Sequence, residues 1–550
     1  MVIEAIRADV PPRAGARPPG RRRRWLLAFA VFALLGEMAI AMITTAVEQT
    51  PTIDEPVYVG AAVFSLEHHS LRYNPEHPPL GKLLIATGLA FADVHVDAGF
   101  AGDQTQLGRS VLYESGHAPG RLLLLARLPV IVLTLLFGLV VFAFARDLAG
   151  PAGGVVALAL YALSPDLIAH GSLATLDVPV AGFLVTSAWL LWRARRRPVR
   201  YLPLAGLALG AAVATKMSAL AAVPVVLLLA VLSARHALGP QRILRRLGTG
   251  AAAAFGVGLI AIAVVWVSYL VVDPQLRWTP PPGLPPVAGL RSLADLLPLP
   301  RPYLDGMRVQ FGFEDQVWTT FLFGSLHVGA LWYYLPAALL VKTPLGALAL
   351  WAAGIVVLVF RLRPAAPYVL LPAAVLLAAA MTGSRDLGVR YALFMPMFLA
   401  VAAAGVVAVR RRWAPVAVAT LVAFTAISSL RTFPYYLPYS NEAFGGPTRT
   451  HRQLHDSNVD WGQDLGRLAD RLRQRYPGER VWLVYKGSGV PSYYGIDAAD
   501  PLAVPADAVH GLLVVSDSAI AKADDRLGFL LRTSTPLDDV GHSITIHRRP

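Results

Sequence analysis

The sequence predicts a polytopic all-α membrane protein with a small soluble α/β domain after its last span, and three observations predict it. Of the 550 residues, 55% are hydrophobic and 15% charged, a balance too apolar for a soluble chain of several domains. Up to residue 430, long apolar stretches alternate with short arginine runs. Beyond that point charged and polar residues rise and only short β-type runs remain.

The first stretch, 25–47, follows Arg21, Arg22, Arg23 and Arg24. It is long enough to cross about 30 Å of hydrocarbon, and the arginines assign its start to the cytoplasm. It is too long for a signal-peptide core and no small-residue cleavage site follows, so it reads as an uncleaved first helix. Residues 1–24 form a basic tail, without apolar period and rich in Pro, Ala and Arg, expected to be disordered and cytoplasmic. Further stretches at 122–144, 155–168, 178–192, 201–214, 219–232, 251–272, 345–360, 368–381, 391–409 and 413–430 bring the expected total to about eleven spans. Alternate threading leaves Arg146 and the runs 193–197, 235–246, 361–363 and 410–412 on the cytoplasmic side. Residues 25–430 are then the transmembrane domain, with outer loops 48–120 and 273–329. Residues 431–550 form an extracytoplasmic domain with strands expected at 481–485, 511–515 and 543–547.

The net charge of +14 does not argue for nucleic acid, because the basic runs flank spans where topology accounts for them. Cysteine is absent, which removes disulfides, thiolate metal sites and a Cys nucleophile. No P-loop, dinucleotide fingerprint, HExxH or GxSxG is present, so nucleotide hydrolysis, redox cofactors, zincin and serine-hydrolase chemistry lack support. Five lysines (Lys82, Lys216, Lys342, Lys486, Lys522) stand against 44 arginines. Where a generic positive charge suffices this chain uses Arg, so each lysine marks a place to inspect.

The polar clusters that remain map to the outer face. Asp54 and Glu55 follow the first span within a few residues, where low dielectric raises a carboxylate's basicity and suits a general base; a solvated helix start is the plainer alternative. Tyr58 lies one turn on. Asn74, Glu76, His77 and Lys82 occupy a Pro-rich turn that leads into an apolar stretch expected along the membrane interface. Asp177 stands at the outer end of a span, where the helix dipole alone would favour it. Lys216, Lys342, Arg385 and Arg390 complete the set; singly each could snorkel, but together they suit an anionic headgroup. Glu37 is an acid inside the first span. In the last domain Asp460 and Trp461 could hold a sugar, against the alternative of a capped helix start.

At these residues the sequence resembles the GT-C superfamily of membrane glycosyltransferases. It is most similar to the branch of dolichyl-phosphate-mannose protein mannosyltransferases and the lipid A aminoarabinose transferase. The resemblance rests on Asp54-Glu55, on Glu76-His77-Pro78-Pro79-Leu80, on Asp177, Lys216 and Lys342-Thr343-Pro344, and on the segments 441–447 and 456–464. It implies Asp54 as catalytic base with Glu55 assisting or holding the loop, inversion at the anomeric carbon, and a polyprenyl-phosphate sugar as donor. Lys216, Lys342, Arg385 and Arg390, with His77 and Lys82, would face the donor phosphate. The acceptor would be a hydroxyl on protein, lipid or cell-wall glycan at the outer face of a plasma membrane, the inner one in a bacterium. No cofactor is required. His68 and His69 could join Glu76 or His77 at a divalent cation, but loop spacing does not establish a metal. Aminoarabinose transferases carry lysine where this chain has His77, whose charge at an unperturbed pKa near 6.5 would depend on pH. The alternative is a transporter or carrier-lipid flippase, which would place ionisable groups near the bilayer midplane.

Overall fold

The computed structural model describes residues 20–238, 243–286 and 295–550. The basic tail up to residue 19 and part of the 235–246 arginine run lie outside these residues.

Helix α1 (Arg21–Glu48) keeps Trp25, Phe29 and Phe32 exposed along one side, the surface an apolar helix presents to lipid. The outer loop then folds into three helices, α2 (Glu55–His68), α3 (Pro79–Leu89) and α4 (Gln104–Tyr113). Pro56 and Pro79 stand in the first turns of α2 and α3, where a missing N–H costs nothing. A capping box of Asp103 and Gln106 starts α4. Gly60 of α2 and Gly108 of α4 let these helices touch backbone to backbone: a Cβ on Gly108 would lie 2.0 Å from the Pro56 carbonyl oxygen.

Helix α5 (Pro119–Ala162) is broken at Gly150, whose φ of 80° is left-handed and which precedes Pro151. The stretch 155–168 falls on the helix that follows this break and ends at Ala162, and on the short α6 (Pro165–Gly171) after it. Next come α7 (Asp177–Ala194), α8 (Pro198–Thr215), α9 (Val223–Leu238), α10 (Ile243–Val272) and α11 (Arg301–Glu314). Asp147 accepts hydrogen bonds from Arg193 (2.7 Å) and Trp189 (3.0 Å), which holds the part of α5 just before Gly150 against the last turns of α7.

A two-stranded hairpin, β1 (Thr319–Leu322) and β2 (Ser325–Val328), precedes α12 (Tyr334–Lys342) and α13 (Leu345–Phe360). These two helices meet at 120° across Pro344, which cannot continue a helical ladder. The last apolar helices are α14 (Ala366–Ala380), α15 (Phe394–Ala403) and α16 (Ala414–Leu430). Among the described residues, five helices are long and apolar enough to cross a membrane, and six if the bent pair counts as one span. Of the other apolar stretches, α7 has 18 residues and the rest form shorter helices; one core is shared by α1, α5, α7–α10 and α12–α15. The chain is an integral membrane protein.

The chain after α16 divides. Tyr436, Leu437, Leu454, Val459 and Trp461 belong to the core of the helical region. From α17 (Leu465–Arg475) onward a separate core forms around a five-stranded sheet, built from β3 (Val481–Val484), β4 (Ala498–Ala499), β5 (Gly511–Ser516), β6 (Thr535–Val540) and β7 (Ile544–Arg549). Its order is β4-β3-β5-β7-β6, parallel among the first three and antiparallel at β7. Helices α18 (Asp517–Ala521) and α19 (Asp525–Arg532) complete it. The three expected strands are β3, β5 and β7.

Candidate active site

Glu55 opens α2 and is wholly buried with Arg127 of α5. Arg127 donates to both its carboxylate oxygens (2.7 and 2.6 Å) and to the carbonyls of Ala46 and Gln49. Thr52 and Ala174 supply further N–H donors to the same carboxylate. Burial opposes the Glu55 charge, but Arg127 and these donors hold its carboxyl below the ordinary range. Removing one partner of such a pair costs about 3–5 kcal/mol. Arg127 is an ionisable residue within an expected span, as Glu37 is, and sequence reasoning passed over it.

With Glu55 held there, Asp54 faces a cavity of about 740 Å³. The cavity is also lined by Tyr58, Asn74, Glu76, His77, Asp177, Lys216, Arg385 and Arg390. Arg390 donates to Asp54, Lys216 to Asp177 at 2.5 Å, and Arg385 to Glu314 at 2.8 Å. Every cation on the wall therefore meets a carboxylate. Tyr391 lies 5.5 Å from the Lys216 ammonium and 5.1 Å from the Arg390 guanidinium. Gln104 donates to Glu76, and Gln310 accepts from Arg385. Glu314, Gln310, Gln104 and Tyr391 are site residues that the sequence reading did not select; Tyr391 follows a selected arginine and was the one nearest to notice. Most of the rest of the wall is apolar, including Val180, Leu184, Leu220, Leu376 and Phe394.

The residues matching known families include most of these. Residues 38–272 match the dolichyl-phosphate-mannose-protein mannosyltransferase family. The chain is similar to membrane glycosyltransferases of the GT-C type. It resembles the mannosyltransferase and ArnT branch of these membrane glycosyltransferases. ArnT from Cupriavidus metallidurans in the apo state superposes with a TM-score of 0.51 at 15% identity, covering 96% of this chain and 98% of that one. The same protein bound to undecaprenyl phosphate gives 0.51 at 13% identity, with the same coverage. The oligosaccharyltransferase of Archaeoglobus fulgidus in its apo form scores 0.47 at 14% identity, over 82% of this chain and 59% of that one. No curated protein matches the chain in sequence. The family matched is one of glycosyltransferases, and a transporter or flippase is not favoured.

Several residues expected at the GT-C site are engaged elsewhere. Glu55 is the anchor described above: of its two expected roles it holds the loop, and it is not on the cavity wall. Lys82 is buried and donates to the carbonyls of Asn74 (2.7 Å) and His77 (2.9 Å), so it shapes the turn and does not reach the cavity. Lys342 is buried and donates to the carbonyls of Leu437 (2.5 Å) and Asn458 (2.9 Å), with Asp166 at 3.5 Å; it ties α12 to the segment after α16. Asp460 is buried against Ser518 and Gly462, and Trp461 is 1% exposed, so neither presents a surface to a sugar. Burial, followed by Lys216 and Lys82, drives the His77 imidazole well below its ordinary range. It lines the cavity as a neutral group, not as a pH-dependent cation. His68 and His69 bond to the carbonyls of Val96 and Val272, and among the described residues no group of three or more His, Asp or Glu is arranged to hold a metal ion.

Proposed function

We propose that this chain transfers a sugar from a polyprenyl-phosphate carrier to an acceptor hydroxyl at the extracytoplasmic membrane face, with inversion. The observation that carries the reading is one cavity holding Asp54, Asp177, Lys216, Arg385 and Arg390 beside an apolar wall. Carboxylates suit a hydroxyl nucleophile, cations suit a phosphate, and the apolar wall suits an isoprenoid. ArnT, which shares the fold, has been solved bound to undecaprenyl phosphate.

In this mechanism Asp54 accepts the proton of the acceptor hydroxyl while that oxygen forms a bond to the anomeric carbon. The bond from that carbon to the phosphate oxygen breaks, and the polyprenyl phosphate departs with the bonding electrons. Lys216, Arg385 and Arg390 stabilise the charge that grows on it. Asp177 orients Lys216. The step written in this way requires no cofactor. The cytoplasmic arginine runs put the N-terminus inside and the cavity with the C-terminal domain outside.

The test uses purified protein and a panel of labelled polyprenyl-phosphate sugars. Asp54→Asn is expected to lower label transfer at least about 100-fold, as loss of a general base does, with melting temperature unchanged. Full transfer by the variant sinks the assignment. The sugar that is released names the donor.

A further inference from the structure

Asp54 lies between two neighbours that are each fixed to a different part of the chain. Glu55 is clamped to α5 through Arg127. Ile53 is clamped to the segment after α16, more than 400 residues away: its N–H donates to the Trp461 carbonyl (2.9 Å), and its own carbonyl accepts from the Ser488 hydroxyl (2.8 Å). Thr50 adds to the same seam. Its N–H donates to the Gln463 carbonyl (2.9 Å) and its Oγ1 accepts from the Leu465 N–H (3.2 Å).

The Trp461 side chain continues this contact on the cation side. The Arg390 guanidinium stands 4.4 Å from the indole centroid, and the far environment of the ring includes His170, edge-on at 5.9 Å. A buried indole with a guanidinium over its face has its geometry set by packing, and the attraction is strongest where water is excluded. Arg390 reaches Asp54 from that position, and its Nε has no partner among the described residues. The indole face is thus the main support of the guanidinium apart from Asp54 and Tyr391.

We infer that Trp461 is a positioning residue, through which the segment after α16 holds Arg390 against Asp54 and sets the loop that carries the base. This rests on Asp54 acting as the base. Trp461 then supports the chemical step without touching a sugar, and the segment 461–465 is part of the catalytic apparatus instead of a cover over it.

The experiment compares Trp461→Phe, Trp461→Leu and Asp54→Asn in the full-length protein, measuring kcat, donor KM and melting temperature. Leucine keeps an apolar, buried side chain without a π face; phenylalanine keeps the face. The expected result is a kcat about tenfold lower in Trp461→Leu, donor KM within twofold, and most of the kcat restored in Trp461→Phe. If the two variants lose kcat equally, or neither loses any, while Asp54→Asn is inactive, the positioning role is overturned and the base assignment stands. An active Asp54→Asn overturns both. A matched fall in melting temperature and kcat across the Trp461 variants shows a purely structural role and also overturns the inference.

Discussion

Asp54 and Glu55 are adjacent carboxylates with opposite fates, and the difference comes from which way a helix start turns each side chain. Glu55 points into the seam with α5 and spends its charge on Arg127; Asp54 points into the cavity, 28% of its side chain exposed. Asp460 shows the same principle with a measurable consequence. Burial, then the nearby Asp517, raises its carboxyl from an ordinary 3.8 to about 7. Between about pH 4 and pH 7 the folded state therefore keeps a proton that the unfolded state has lost, so this group's contribution to stability falls as pH rises through that window. Asp460→Asn is expected to shrink the difference in melting temperature between pH 5 and pH 8; an unchanged difference refutes the raised value. Asp54, Asp177, Lys216, Arg385 and Arg390 were legible because each is a charge at the edge of an apolar stretch. Glu314 and Gln310 were not, since nothing in a polar loop distinguishes an acid that meets an arginine 71 residues later.

At the scale of elements, apolar length and the Pro and Gly positions predicted most helices, while the breaks depended on backbone detail. The expected stretch 155–168 is divided, because the helix that follows the break at Gly150 ends at Ala162 and α6 starts at Pro165. Short runs rich in Val, Leu, Ile and Trp were sufficient for β3, β5 and β7, whereas β6 holds Pro536 and two aspartates, a composition that hides a strand paired on one edge only. The seam between α2 and α4 gives a direct test. Gly108→Ala would force a methyl to within 2.0 Å of the Pro56 carbonyl, two residues beyond Asp54. The expected cost is about 1–3 kcal/mol, with transfer activity falling alongside. Gly120→Ala, which meets nothing within 4 Å, is expected to leave both unchanged. Equal behaviour of the two variants refutes the role of the close crossing.

Across the whole molecule, the cavity is the place where α2, α7, α11 and α14, the outer loop and the turn before α15 meet, so a lipid phosphate that fills it links parts distant in sequence. Undecaprenyl phosphate is expected to raise the melting temperature, by about 2.7 kcal/mol of added stability at 100 times its Kd, and undecaprenol without phosphate is expected to raise it much less. Arg385→Gln is expected to reduce the shift. An equal shift for alcohol and phosphate, or for wild type and variant, removes the charged wall from donor binding.

The sequence by itself determined the membrane character, the type of fold, the sheet-bearing C-terminal domain and the charges that gather at one face, because apolar length, arginine placement and strand composition are local properties of the chain. Only the tertiary structure decided which charges reach the cavity. Lys82, Lys342 and Glu55 are as conspicuous in the sequence as Lys216 and Asp54, yet each is neutralised by backbone carbonyls or a buried partner, because a charge removed from water must find its counterpart wherever the fold brings one. Trp461 belongs to the same class: its place beneath Arg390 is set by packing between segments far apart in the chain, which no local pattern encodes.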